Sequence, residues 1–168
     1  VRKPRIVYVH GDGVLHWDWG WVVRARGELQ AAGFPTFFEL PPDSIEARAK
    51  YWMPFLEQHA RIGPDDVLLG WSCGAVAAMR FAESHRVRGL VLVAPYYTDL
   101  GLESVRPFIG HAADALGMLF RGAYGQVDRV ALVNPGGDRG AAVAAVGDPL
   151  LEVGDDQGGQ ENPLDRRC

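Results

Sequence analysis

Two short apolar runs on either side of a small-residue helix constrain this chain more than any other feature. Residues 68–95 read LLGWSCGAVAAMRFAESHRVRGLVLVAP. Val67 to Leu69 and Gly89 to Ala94 are continuous and apolar, the pattern of strands covered on both faces. Between them, Cys73 to His85 carries Val76, Ala77, Met79 and Phe81 at helical positions. The join between the first strand and the helix is Gly70-Trp71-Ser72-Cys73-Gly74, a G-x-S-x-G turn. A sharp strand-to-helix turn of this kind strains the serine and exposes its hydroxyl, and glycines two residues to either side let neighbouring backbone pass close. The helix N-terminus then faces the serine, and the Cys73 N–H is placed to stabilise an oxyanion. The competing reading is that Ser72 only caps the helix; the flanking strands favour the nucleophile. Cys73 lies one residue past the apex and reads as a small packing residue, not a thiol nucleophile.

The rest of the first hundred residues repeats the same alternation. Arg5 to Val9 is a short β-branched strand that ends at His10-Gly11-Asp12-Gly13, a tight turn whose Asp12 or Gly13 N–H is a second oxyanion candidate. Trp21 to Ala32 reads as a helix closed by Gly33. Phe34 to Leu40 reads as a strand, placed near an edge because Pro35 interrupts it. Asp43 or Ser44 is positioned to cap a helix running through Ile45, Ala49, Trp52 and Phe55, kinked at Pro54. A further strand is expected at Val130 to Val133. Strands alternating with helices predict an α/β fold: a mostly parallel sheet with helices on both faces.

The net charge is −4, and no basic block is present to neutralise phosphates, which argues against nucleic acid as a partner. No apolar run reaches the length of a membrane span. The two cysteines, Cys73 and Cys168, make no disulfide framework, and a cytoplasmic protein is the expectation. HGDGVLHW lacks G-x-G-x-x-G, so a dinucleotide site is not expected. No cluster of histidines and cysteines suggests a metal, and hydrolysis at a serine needs no cofactor.

Residues 41–57 (PPDSIEARAKYWMPFLE), residues 68–101 (LLGWSCGAVAAMRFAESHRVRGLVLVAPYYTDLG) and, more loosely, RIVYVHGDG with WGWV resemble the small serine hydrolases related to retinoblastoma-binding protein 9. The resemblance covers residues 5 to about 104. It implies a compact α/β-hydrolase-like fold with little or no cap, Ser72 as nucleophile, and Gly11 to Gly13 with Cys73 around the oxyanion. The implied substrate is a small ester or amide, hydrolysed through an acyl-enzyme. Members of that family carry their acid in a G-x-x-D-D-P-like motif and their histidine in a later G-H-F-like motif, and neither stands here. The L-x-C-x-E motif of one member is also absent, so that protein partner is not carried over.

A serine hydroxyl needs a base within hydrogen-bond reach. Of the five histidines, only His85 and His111 follow Ser72. His85 lies at the far end of the helix, about 20 Å away at 1.5 Å per residue. His111 and His10 remain as weak base candidates, and Asp138, after the strand at 130–133, is a weak acid candidate. After Pro107 the chain changes character: no tryptophan follows Trp71 and no aromatic residue follows Tyr124. These features predict one domain over 1–147, incomplete at its C-terminal end, and a disordered tail over 148–168. They also keep a second function open: a catalytically impaired or C-terminally altered hydrolase that acts as a binding or regulatory protein, with the Trp-rich turn 17–21 as its contact surface.

Overall fold

The structure is a computed structural model, and it describes residues 2–95 and 127–133. His111, Asp138 and the stretch 148–168 lie outside the described residues. Five strands form one parallel sheet: β1 (Ile6–Val9), β2 (Thr36–Phe37), β3 (Val67–Trp71), β4 (Val87–Val93) and β5 (Val127–Val133), in the order β2-β1-β3-β4-β5. Among the described residues, three α-helices lie between them: α1 (Trp21–Ala31), α2 (Ala49–Pro54) and α3 (Cys73–Ala82).

Side chains alternate between the two faces of the sheet, and each face has its own core. Val7, Val9, Leu68, Leu90 and Leu92 pack with α2 and α3, while Ile6, Tyr8, Leu69 and Val93 pack with Val22 of α1 and with Phe38. Helix α3 is the best-buried helix; every residue of it except Arg80 is buried. Its Gly74 to Ala78 run keeps the helix close to the strands, and burial of Met79 or Phe81 contributes on the order of 2 kcal/mol each. Helix α1 ends as expected. Gly33 takes φ 80, its N–H bonds to Gln30 O, and the Phe34 N–H reaches back to Leu29 O, which is the Schellman pattern.

Two expectations need correction. The strand expected over Phe34–Leu40 shrinks to Thr36–Phe37, although it does lie at the sheet edge; Pro35, without an N–H, stands immediately before it. The helix expected from Asp43 or Ser44 begins only at Ala49. Asp43 and Ala47 take left-handed backbone (φ 61 and 52). The Asp43 carboxylate holds the Arg48 N–H and guanidinium, while Ser44 Oγ donates to Val14 O at 2.6 Å. Both side chains therefore organise a turn and cap nothing. Pro54 acts as expected: beyond it the ladder widens into a π-helical turn (Phe55–His59), closed by the Ala60 N–H on Phe55 O.

The register sets up the site. Val9 pairs with Gly70, Gly70 with Leu92, and Leu92 with Leu132. The carboxyl ends of four strands thus finish in one row, the edge at which open parallel sheets bind ligands.

Candidate active site

Ser72 follows β3 directly and takes φ 53, ψ −120. A residue with a Cβ is strained there and stays only if its surroundings hold it. They do. The Ser72 N–H donates to Val93 O at the end of β4 (2.9 Å), and its carbonyl accepts from the Ala75 and Val76 N–H groups at 3.0 and 3.3 Å. Its side chain makes no capping bond to α3 and no hydrogen bond to any described residue. The capping reading is therefore not what the geometry contains: the side chain of half-buried Ser72 is uncommitted among the described residues.

The flanking glycines are there for contact. A Cβ on Gly70 would lie 2.5 Å from Ala75 Cα, and one on Gly74 would lie 2.0 Å from Val9 O and 2.3 Å from His10 O. Helix α3 therefore starts pressed against the end of β1, which brings the His10–Gly13 turn to the serine. A Cβ on Gly11 would lie 3.4 Å from Ser72 Cβ.

Around that turn the expected residues separate. Gly13 has φ 75, and its N–H already donates to Ser44 O (3.0 Å) and Ile45 O (3.2 Å). That donor is spent on the 43–47 turn, which leaves the Asp12 N–H as the oxyanion candidate from this loop. Cys73 is fully buried as the first residue of α3. His10 is fully buried, with Nδ1 3.2 Å from Gly11 O and its ring edge-on to Tyr8 and Trp71. No hydrogen bond joins it to Ser72. Its Nε2 has no partner among the described residues. Burial holds the His10 pKa below the ordinary histidine value, partly opposed by the Gly11 carbonyl, so the ring is neutral near pH 7. Burial also pushes the Tyr8 phenol up, and it remains protonated. His85 stacks on Phe81 (4.1 Å) at the far end of α3, with Nδ1 3.2 Å from Phe81 O. Among the described residues, no group of three or more His, Cys, Asp or Glu side chains is placed to hold a metal.

The sequence reading missed Trp71. Its ring approaches to 3.3 Å of a Cβ built on Gly11, stacks against half-exposed Trp19 (5.1 Å, 21°) and meets Trp21 edge-on. An indole therefore stands directly beside the Gly11–Ser72 approach, with a second one lying on it. The Trp17, Trp19, Trp21 spacing was visible, but nothing local says that Trp19 and Trp21 reach Trp71 while Trp17 turns to Phe38. Ala94 was missed too: at the end of β4 it takes φ 48, and its N–H donates to Val133 O at 2.8 Å.

The sequence matches no protein-family model. It is 42% identical over 96 residues to the serine hydrolase RBBP9 of Rattus norvegicus, a stretch that covers 57% of this chain and 50% of that protein. The chain thus spans about half the length of the curated relative it matches. Among solved structures, the ydeN gene product from B. subtilis is similar with a TM-score of 0.63 at 20% identity, covering 79% of this chain and 71% of that one. At that identity the likeness speaks for the fold alone. No helix among the described residues is long and apolar enough to cross a membrane. The parallel sheet of this order, the strained serine at its carboxyl edge and the stretch of sequence shared with that serine hydrolase make the chain similar to it over 57% of its own length, on a fold that is α/β-hydrolase-like.

Proposed function

We propose that the chain is a cytoplasmic serine hydrolase that acts on small ester or amide substrates through an acyl-enzyme at Ser72. The observation that carries this reading is the conformation of Ser72: strained, held by three backbone hydrogen bonds, and with its hydroxyl left free of the helix cap. Strain maintained at this place serves the exposure of an attacking oxygen.

In the proposed reaction, Ser72 Oγ adds to the substrate carbonyl as a base takes its proton. The oxyanion then forms beside the Asp12 and Cys73 N–H groups, at the positive end of α3. Collapse expels the alcohol or amine and leaves an acyl-Ser72 ester, which water hydrolyses. His111 or His10 is the base of this proposal and Asp138 its acid; His10 makes no hydrogen bond to Ser72 and stands edge-on to Tyr8 and Trp71.

Labelling by a fluorophosphonate, with Ser72→Ala as control, tests the reading, because such a probe reacts with a serine already activated by a base. Labelling of the parent chain that disappears in Ser72→Ala is the expected result, and loss of label in His111→Ala or in His10→Ala then identifies the base. A folded parent chain that takes up no label would refute a working hydrolase and favour a binding or regulatory role.

A further inference from the structure

The amino ends of the strands, opposite Ser72, border a cleft of about 590 Å³. Arg2, Lys3, Arg61 and Arg88 line it from separate stretches of chain: the segment before β1, the loop before β3, and β4 itself. Its lining carboxylates are exposed Asp65 and buried Asp66, and Arg5 neutralises the second at 2.6 Å. This concentration of positive charge runs against the chain's net charge of −4.

Arginines elsewhere among the described residues are mostly occupied. Arg24 pairs with Glu28, Arg48 with Asp43, Arg80 with Glu83 and Arg86 with Asp128, while Arg26 lies over the Trp17 ring. Arg2, Arg61 and Arg88 have no carboxylate partner among those residues, and all three meet at this cleft; Arg26, over its indole, and Arg129, on β5 beside the Arg88 end of the cleft, are the others without one.

The floor of the cleft is rigid. The Arg5 guanidinium binds both oxygens of Asp66 (3.1 and 2.6 Å) and donates to the carbonyls of Ala60 and Arg61, each at 3.0 Å. Asp66 also accepts the Gly63 N–H at 2.9 Å. This clamp holds Arg61 at φ 49, a left-handed conformation that a residue with a Cβ adopts only when its surroundings impose it. Pro4, Pro35 and Pro64 form stiff apolar walls.

We propose that this cleft binds a small molecule carrying at least two phosphoryl groups. A guanidinium matches phosphate oxygens with a planar fork, and three forks exceed what one carboxylate or one phosphate would satisfy; Lys3, whose ammonium donates to Ala32 O and lies over the Phe34 ring, adds charge to the cleft. The volume suits a compact ligand such as a diphosphate with an attached group. A long polyanion is disfavoured because the remainder of the chain would repel it. The proposal does not depend on the hydrolase activity. It is linked to it in space, since β3 starts directly after Asp66 of the cleft and ends at Trp71, the residue before Ser72.

The test is calorimetric titration of the full chain with pyrophosphate, ADP and adenosine at constant ionic strength. The expected result is saturable binding of pyrophosphate and ADP and none of adenosine. ADP tighter than pyrophosphate assigns a nucleotide, and the reverse assigns a free polyphosphate. The Arg61→Gln/Arg88→Gln variant should weaken binding about tenfold or more, given the strength of charge-assisted forks. Arg24→Gln/Arg48→Gln removes the same charge elsewhere, outside the cleft lining, and should change the affinity less than about twofold. Arg88→Lys keeps the charge and loses the fork, so a measurable weakening there supports the proposal even if the double variant misfolds. No saturable binding by either phosphate compound, or equal weakening in both double variants, would each overturn it.

Discussion

Replacing Ser72 by alanine and by glycine separates a strained nucleophile from a helix cap by the sign of the stability change. Alanine keeps the Cβ, so the strain at φ 53 persists, and the hydroxyl it removes makes no hydrogen bond to α3. Ser72→Ala is therefore expected to leave stability within about 0.5 kcal/mol of the parent chain. Glycine relieves a strain of about 1–3 kcal/mol. Against that stands the larger entropy of the unfolded chain, about 0.5–1 kcal/mol. The balance is a gain of about 1 kcal/mol, or roughly 2–4 °C in Tm for a domain of this size. A capping serine behaves oppositely: alanine costs about 1 kcal/mol and glycine a few tenths, so both variants fall below the parent. Urea denaturation of the three proteins, with shared m-values to confirm comparable unfolding, reads the difference directly. Both variants less stable than the parent would refute the argument that the Ser72 backbone is held under strain for an uncommitted hydroxyl.

Three other outcomes follow from the packing. Gly74→Ala would place a Cβ 2.0 Å from the Val9 carbonyl oxygen, so β1 and α3 must part; a loss of about 3 kcal/mol or more is expected in urea melts, with loss of fluorophosphonate labelling. A Gly74→Ala chain that stays as stable and as reactive as the parent would show that the two elements are not pressed together. His10 has a folded-state pKa held below its unfolded value by burial, so the unfolded chain takes up the proton first as pH falls. Its contribution is complete above about pH 6.5 and is lost as pH drops toward the folded value, at up to about 1.4 kcal/mol per pH unit; urea midpoints from pH 7.5 to 5.5 should fall more steeply for the parent than for His10→Gln, and equal slopes would contradict the burial argument. Asp66→Ala leaves the Arg5 guanidinium without its bidentate partner and frees the Gly63 N–H, and an expected loss of about 2 kcal/mol by denaturation would be contradicted by a change under about 0.5.

Much of the fold is legible in local pattern. The runs IVYV, VLLGW and VRGLVLV are apolar and bounded by turn residues, and burial on both sheet faces demands that composition. Gly33 and Pro54 announce the end of α1 and the disturbance after α2 because each acts through its own backbone. Asp43 and Ser44 misled for a related reason: they look like caps, but their partners, Arg48 and Val14, are set by how the 43–47 turn packs beneath the His10–Gly13 loop. Gly13 looked like an oxyanion donor until that same packing used its N–H.

The sequence by itself determined that a serine would stand on a sharp turn between a buried strand and a small-residue helix, since spacing and side-chain size decide that within a dozen residues. Only the tertiary structure decided how the serine is held and what surrounds it. The Val93 carbonyl that fixes Ser72 lies 21 positions along the chain, the indole against Gly11 is Trp71, and the Trp19 stacked on that indole comes from the loop before α1. The cleft at the opposite edge gathers Arg2, Arg61 and Arg88, which have no pattern in common along the chain. These contacts join segments that parallel strand pairing brings into register, and no local periodicity records where such segments meet.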